Sequence, residues 1–234
     1  MPLVVKNLII INALFFLARY TLASTLNIDL NSFLGLYYYN SPEFNPYQLI
    51  SYMFMHGGFS HIFFNMFALW MFGTQIENLW GPKRFLNYYL ITGFGAAFLH
   101  YLIIHFQISG LESYFTSNQI SEIVNSGAFN PSSPLFSKAR MLYGLHHTPV
   151  VGASGAVFGL LLAYGMTYPN QIIYLNLLFP IKAKYFVVIY GLLEFFMGVQ
   201  NGAGDNVAHF AHIGGMLFGF LLIKYWKKND MNFY

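Results

Sequence analysis

Long apolar stretches fill most of this chain and limit its fold more than any other feature. A helix that spans a bilayer needs about 20 mostly apolar residues, and lipid cannot satisfy an unpaired backbone, so such stretches must be helical. Only 8% of the 234 residues are charged, whereas soluble domains carry about 25%. We therefore predict an all-α membrane protein, a single domain over residues 1–234. Its six spans are expected at about 7–26, 61–79, 85–106, 153–168, 184–199 and 207–226.

The first apolar stretch has a competing interpretation as a cleaved signal peptide, with Ala23-Ser24 as the cleavage site. Residues 7–26 are long for the apolar core of a signal peptide, which has about 7 to 15 residues. We therefore expect an uncleaved first span.

Two longer polar segments separate predicted spans. Residues 27–60 contain the run Tyr37-Tyr38-Tyr39, and tyrosine favours the membrane–water interface. This segment is predicted to be a large interfacial loop between spans one and two. Residues 107–150 are polar by the standards of this chain, and a connection of that length is typically functional or mobile.

Basic residues predict the orientation, because cytoplasmic loops carry the excess of Lys and Arg. With six spans, one side of the membrane receives Lys6, Lys83, Arg84, Lys182, Lys184, Lys227 and Lys228. Both termini are then cytoplasmic, and the two longer loops lie outside. The six-span build without a targeting extension indicates the bacterial cytoplasmic (inner) membrane. The net charge of +3 fits this orientation better than a nucleic-acid partner.

A serine between glycines provides the first candidate for chemistry. In Gly152-Ala153-Ser154-Gly155, a proline-bearing loop is predicted to turn into a helix at Ser154. Free N–H groups and partial positive charge at a helix start favour an oxyanion there. The pattern is short, however, and a serine at such a position is more often a plain helix cap.

Polar residues inside the other spans provide possible partners, since such residues are costly in lipid. His61 and Asn65 are four residues apart on one helix face, although an isolated pair of this kind more often ties two helices together. His212 adjoins a stripe of small residues on the last span, and Gly155 and Gly159 form a stripe beside Ser154. The stripe on the last span consists of Ala211, Gly215 and Gly219. Packing the stripes together could bring Ser154 and His212 within about 2.6–3.2 Å.

A metal site is the alternative that the eight histidines raise. There is no His-Glu-x-x-His motif, and no cluster pairs histidines with carboxylates within one predicted span. Without cysteine, thiolate ligands and a cysteine nucleophile are excluded. We predict no metal and no cofactor.

Three motifs in this order resemble those of the rhomboid family of intramembrane serine proteases. They are His61-x-x-x-Asn65, Gly152-Ala153-Ser154-Gly155 and Ala211-His212-Ile213-Gly214-Gly215-x-x-x-Gly219. The turn with Glu77, Gly81, Arg84 and Phe85 is also similar to the family's turn after the second span.

The resemblance implies a Ser–His dyad without a carboxylate, with Ser154 as nucleophile and His212 as general base. It also implies an oxyanion hole formed by His61, Asn65 and the backbone N–H of Ser154. On spacing, Asp205 lies too far before His212 to assist it, and His209 is the rival base. Packing around the site is assigned to Gly152, Gly155, Phe158, Gly215 and Gly219.

Phe158 departs from the family, which often has a tyrosine stacked on the base at that position. The substrates implied are single-span membrane proteins that enter sideways, with the fifth span, including Phe195 and Phe196, as a lateral gate. One rival interpretation is a non-catalytic relative that binds membrane helices, but this chain retains both Ser154 and His212. Another is a small transporter, which would show paired half-helices or membrane-buried charges in repeated positions; neither is apparent in the sequence.

Overall fold

The structure is a computed structural model that describes residues 1–175, 179–200 and 208–229, and these ranges are mostly helical. The helices are α1 Leu3–Leu26, α2 Leu30–Leu34, α3 Gln48–Ser51, α4 Phe59–Ala68, α5 Thr74–Trp80, α6 Pro82–Glu112, α7 Ser117–Ser126, α8 Phe136–His147, α9 Ser154–Thr167, α10 Ala183–Gln200 and α11 His209–Asn229. A 3₁₀ turn, Tyr52–Phe54, follows α3, and a π-helical turn, Leu69–Gly73, joins α4 to α5. The strands β1 Ile172–Leu175 and β2 Phe179–Lys182 form an antiparallel pair between α9 and α10.

Three of the described helices, α1, α6 and α10, are long and apolar enough to cross a bilayer. A fourth, α9, is apolar but has only 14 residues. The chain is therefore an integral membrane protein with several membrane helices. The two remaining predicted spans correspond to α11 and to the consecutive elements α4, the π-helical turn and α5. The count of six spans stays a prediction.

Helix boundaries differ most from the expected ones at α6. The span predicted at 85–106 belongs to a helix of 31 residues, Pro82–Glu112, which is about 46 Å long at about 1.5 Å per residue. Pro82 occupies the first turn, where a proline has no hydrogen bond to lose. Polar residues such as Glu112 suggested an end that the backbone does not take, because packing of the last turns outweighs their polarity.

The centre of the bundle is formed by α6, α9 and α11, which pack against one another. Phe85, Tyr88 and Tyr89 of α6 are fully buried there. The hydroxyl of Tyr88 donates a 2.7 Å hydrogen bond to the carbonyl oxygen of Gly159 on α9. This core places the start of α9 and the first turns of α11 side by side.

A buried carboxylate on α5 binds the start of α1. The backbone N–H groups of Val4 and Val5 donate to Glu77 Oε1 and Oε2 at 2.9 and 2.8 Å. These are donors that a helix start leaves without an internal partner, and a negative charge favours the positive end of the helix dipole. Glu77, only 3% exposed, is thus a helix cap.

The segment before α4 holds the chain that leads into α9. Leu36 and Val150 exchange backbone hydrogen bonds of 2.8 and 2.9 Å, and the N–H of Gly152 donates to the carbonyl oxygen of Tyr52 at 2.9 Å. Gln48, which is fully buried, donates from Nε2 to the carbonyl oxygens of Phe33 and Glu43. The loop is therefore a folded support for the residues that precede Ser154.

The connection 107–150, which the sequence suggested to be functional or mobile, contains α7 and α8 packed on the far end of α6. Ile104 and Ile108 of α6 share an apolar cluster with Ile123 and Leu142. His147 bonds Glu43 Oε1 through Nδ1 at 2.8 Å. Burial alone would raise the pKa of Glu43, but hydrogen bonds from Ser41 and His147 lower it overall. The two longer loops are thereby joined to each other.

The tyrosine run does not face the interface as a unit. Tyr37 and Tyr38 are buried and Tyr39 is exposed. The turns of α6 around Ile104 and Ile108 pack on Tyr38. Tyr38 Oη lies 2.9 Å from Nδ1 of His105 on those turns.

Candidate active site

Ser154 is the first residue of α9, and the backbone that precedes it is shaped by a glycine. Gly152 has φ +132°, which a side chain would strain. A Cβ atom at this position would also lie 2.8 Å from His61 Nε2 and 3.5 Å from Ser154 Oγ. Gly152 therefore leaves a small space between the imidazole of His61 and the hydroxyl of Ser154.

His212, on the first turn of α11, reaches Ser154 directly. Its Nε2 lies 2.8 Å from Ser154 Oγ, and the residue is buried. The hydroxyl donates to Nε2 when the other ring nitrogen carries the hydrogen. A hydroxyl held this close to a base is the arrangement of an activated serine.

The glycine stripes explain how two helix backbones come close enough for this contact. A Cβ on Gly215 of α11 would collide with the backbone oxygen of Gly155 on α9, and a Cβ on Gly155 would collide with Ala96 of α6. Gly219 instead faces Tyr88 of α6. The stripes thus meet at Gly155 and Gly215, while the next turn of α11 packs on α6.

Phe158 lies one turn after Ser154 and stacks on the ring of His212. Its ring centroid is 4.2 Å from that of His212, and the two planes differ by 5°. Phe158 also stacks on Tyr190 of α10, with centroids 5.1 Å apart. The ring fixes the plane of the imidazole.

His61 and Asn65 lie on α4, and His61 is the one that borders Ser154. The N–H of Gly57 donates to His61 Nδ1 at 3.3 Å, which leaves Nε2 to carry the hydrogen in the neutral ring. That Nε2 points to the space at Gly152. Asn65 is buried, and its Nδ2 donates to the carbonyl oxygen of His61 at 3.0 Å, a bond that uses one of its two amide hydrogens.

A carboxylate that was not predicted from the sequence also reaches His212. Glu194 Oε2, on α10, lies 2.7 Å from His212 Nδ1 and 2.7 Å from His209 Nδ1. The expectation that no carboxylate accompanies the Ser–His pair is therefore wrong. The rival base, His209, contacts this carboxylate through Nδ1. Asp205 lies outside the described residues.

The missed signal was a single acidic residue within the apolar stretch 184–199. Glu194 is 4% exposed, and a charge inside a membrane helix is by default a functional candidate. Spacing could not reveal the contact, because Glu194 and His212 belong to different helices.

Glu194, His209 and His212 are residue types that also bind metals, and their candidate ligand atoms lie within 4.8 Å of one another. The separations of 2.7 Å are hydrogen-bond distances. Ligands at about 2.0–2.2 Å from a tetrahedral zinc ion would instead lie about 3.3 Å apart. In the structure these three residues are therefore hydrogen-bonded to one another. The expectation of no metal stays a prediction.

The turn before α4 places a second imidazole beside His61. The rings of His56 and His61 are 5.0 Å apart at their centroids, and Arg19 Nη1 donates to the carbonyl oxygens of His56 and Gly57 at 3.1 Å. Burial, with the nearby His61, lowers the pKa of His56 to about 3. His56 is therefore neutral near pH 7 and supports His61 by packing.

Comparison with known proteins was made on the whole sequence. The family model described as Rhomboid domain matches residues 43–228. RHOMBOID-like protein 4 of Arabidopsis thaliana is 32% identical over 179 residues, which are 75% of this chain and 33% of that protein. Rhomboid protease GluP of Bacillus subtilis (strain 168) is 28% identical over 74% of this chain and 25% of its own length. Rhomboid protease AarA of Providencia stuartii is 28% identical over 73% of this chain and 52% of its own length. The chain thus spans between a quarter and about half of the length of these relatives.

Proposed function

Since this chain belongs to the rhomboid family, we propose that it is an intramembrane serine endopeptidase that cleaves transmembrane segments of single-span membrane proteins. The observation that carries the proposal is the 2.8 Å contact between Ser154 Oγ and His212 Nε2 at a helix start. The printed names of two relatives, which describe proteases, support the same class of reaction.

In the proposed first step, Ser154 Oγ attacks the carbonyl carbon of the peptide bond while His212 Nε2 takes the hydroxyl proton. The carbonyl oxygen becomes an oxyanion. As the C–N bond breaks, His212 returns that proton to the leaving amine, and an ester to Ser154 remains. Water, deprotonated by His212, then hydrolyses the ester, and the proton restores the serine hydroxyl.

The space at Gly152 is suited to the oxyanion. An atom at the position of the missing Cβ would lie 2.8 Å from His61 Nε2, which is hydrogen-bond distance, and the neutral His61 has its hydrogen on that nitrogen. The backbone N–H of Ser154, at the start of α9, and an amide hydrogen of Asn65 are the other proposed donors. Fixed hydrogen-bond donors aimed at a developing charge make the largest single contribution to transition-state stabilisation in many enzymes.

Substrate entry is assigned to α10, the fifth predicted span. Phe195 and Phe196 are 48% and 59% exposed, as expected of side chains that face lipid or a passing helix. We propose six spans with both termini in the cytoplasm of a bacterial cell and Ser154 in the outer half of its inner membrane. Grouping of basic residues from the chain ends supports this orientation.

A helix-binding relative without catalysis is the second candidate, and a covalent probe separates the two. Purified protein in detergent is treated with a fluorescent fluorophosphonate beside Ser154→Ala, His212→Ala, His209→Ala and, as a matched serine control, the exposed Ser132→Ala. We expect labelling of the wild type and of Ser132→Ala, and at least a hundredfold loss in Ser154→Ala and His212→Ala.

Labelling that survives His212→Ala but not His209→Ala would assign the base to His209. If the wild-type protein is not labelled and does not cleave a single-span model substrate, the proposed enzyme function is wrong and the helix-binding candidate is favoured. The thermal transition of each variant shows whether it is folded.

A further inference from the structure

We propose that Glu194 is a positioning residue for the reaction, which holds His212 in the orientation and tautomer that a general base needs. The inference rests on the proposed function of Ser154 and His212 and adds a third, acidic member to their pair. It concerns a residue on α10, the helix that the resemblance had assigned only to substrate entry.

Two contacts fix the imidazole of His212 in complementary ways. Phe158 lies flat on the ring, with planes 5° apart, and so prevents it from tilting. Within that plane the ring could still rotate, and the bond from Nδ1 to Glu194 Oε2 at 2.7 Å opposes rotation. Together they keep Nε2 directed at Ser154 Oγ, 2.8 Å away.

The same bond selects the tautomer. A carboxylate can only accept hydrogen bonds, so His212 Nδ1 must carry a hydrogen. In the neutral ring Nε2 is then an acceptor, as deprotonation of Ser154 requires. When the serine proton arrives, the ring becomes positively charged beside a buried negative charge, which stabilises it in surroundings poor in water.

His209 has a supporting part in this arrangement. Its Nδ1 also lies 2.7 Å from Glu194 Oε2, so the same carboxylate oxygen receives donors from two successive turns of α11. This second bond holds the carboxylate in place and offsets the cost of burying it. His209 therefore acts on the reaction through Glu194.

The rival explanation is that Glu194 merely ties α10 to α11. The chain contains its own example of a structural glutamate, since Glu77 is as buried as Glu194 and caps α1. Glu77→Gln is thus a matched control for Glu194→Gln: the same chemical change, at equal burial, with no contact to Ser154 or His212 among the described interactions.

The experiment measures kcat and KM of the full chain in detergent with a fluorogenic single-span substrate, together with thermal unfolding. For Glu194→Gln we expect kcat to fall about 10²- to 10⁴-fold with KM changed less than about threefold, as when the acidic member of a serine protease triad is neutralised. Fluorophosphonate labelling should slow in parallel. Glu77→Gln should lower the unfolding temperature but leave kcat of the folded protein within about threefold of the wild type.

A kcat of Glu194→Gln within about threefold of the wild type would overturn the role of Glu194 and leave the Ser–His proposal intact. Wild-type protein that neither labels nor cleaves would overturn both. If Glu194→Gln does not fold, Glu194→Asp keeps the buried charge but shortens the side chain by about 1.5 Å. Its kcat should then also fall by at least about tenfold, and an unchanged kcat in folded Glu194→Asp would count against the inference.

Discussion

At the scale of single residues, Phe158 supplies stacking without a hydroxyl. Its ring stacks on the rings of both His212 and Tyr190, so it links the proposed base to α10. A tyrosine at this position could keep the same stack, because the ring is unchanged. Stacking on His212 therefore requires the aromatic ring at this position but not a hydroxyl.

Phe158→Ala should lower kcat by up to about tenfold, because loss of the stack removes about 0.5–1.5 kcal/mol of interaction and lets the imidazole tilt; about 1.4 kcal/mol corresponds to tenfold in rate. Phe158→Tyr is the control and should keep kcat within about threefold. Both are measured with the single-span substrate on folded protein. Equal kcat for Phe158→Ala and the wild type would mean that the stack does not hold the base.

Single residues also show what could be predicted from the sequence. Ser154, His61 and His212 each belong to a short motif with glycines or a second polar residue at helical spacing, so they were selected without a structure. Glu194 stands alone among apolar neighbours. Its partner lies 18 positions away on another helix, and only the tertiary packing of α10 on α11 brings the two together.

At the scale of elements, the distance between Ser154 and His212 depends on how closely α9 and α11 approach. Gly215 faces the carbonyl oxygen of Gly155 without room for a methyl group. Since the contact is between backbones, it leaves no flexible side chain that could adjust. A substitution here must move a whole helix.

We expect Gly215→Ala to destabilise the protein by about 1–3 kcal/mol and to abolish fluorophosphonate labelling, because separation of the helices lengthens the Oγ–Nε2 contact. Gly110→Ala on α6 is the control: a Cβ there meets nothing within 4 Å, and alanine favours a helix by about 1 kcal/mol. Thermal unfolding and labelling rate are measured for both. Normal labelling of Gly215→Ala would contradict the proposed packing constraint.

Elements were predictable where apolar length determines them. The cores of the predicted spans lie within helices of the structure, although α1 starts at Leu3 and α6 ends at Glu112. The π-helical turn Leu69–Gly73, the strand pair and helices α7 and α8 were not foreseen. Helix α8 is held by contacts with other parts of the chain, such as that of Leu142 with Ile104 of α6. Helix α7 does carry a local signal, the capping box of Thr116 and Gln119, which the prediction missed.

At the scale of the whole molecule, the start of α1 and the last turns of α11 both lie against α5. Glu77 on α5 binds the start of α1, and the rings of Trp80 and Trp226 lie 5.7 Å apart at their centroids. Arg84 lies over the Trp226 ring. Basic residues from both ends and from the α5–α6 turn are thereby collected on one side, opposite the loops that hold Gly152.

This predicts the outcome of thiol labelling in cells, and the chain, which has no cysteine, gives no background. We expect Ser132→Cys to react with a membrane-impermeant maleimide added outside intact cells. Lys6→Cys and Lys228→Cys, on exposed residues, should react only after permeabilisation. External labelling of Lys6→Cys in intact cells would reverse the proposed orientation, and labelling of only one terminus would contradict an even number of spans.

The shortness of α9 sets the depth of Ser154 in the membrane. Its 14 residues rise about 21 Å, roughly 9 Å less than a hydrocarbon layer of about 30 Å. A hydroxyl at the top of such a helix therefore meets a peptide bond at a set depth, whatever side chains flank that bond. Under the proposed function, membrane thickness and substrate tilt become determinants of which bond is cut, so the lipid takes part in specificity alongside the protein.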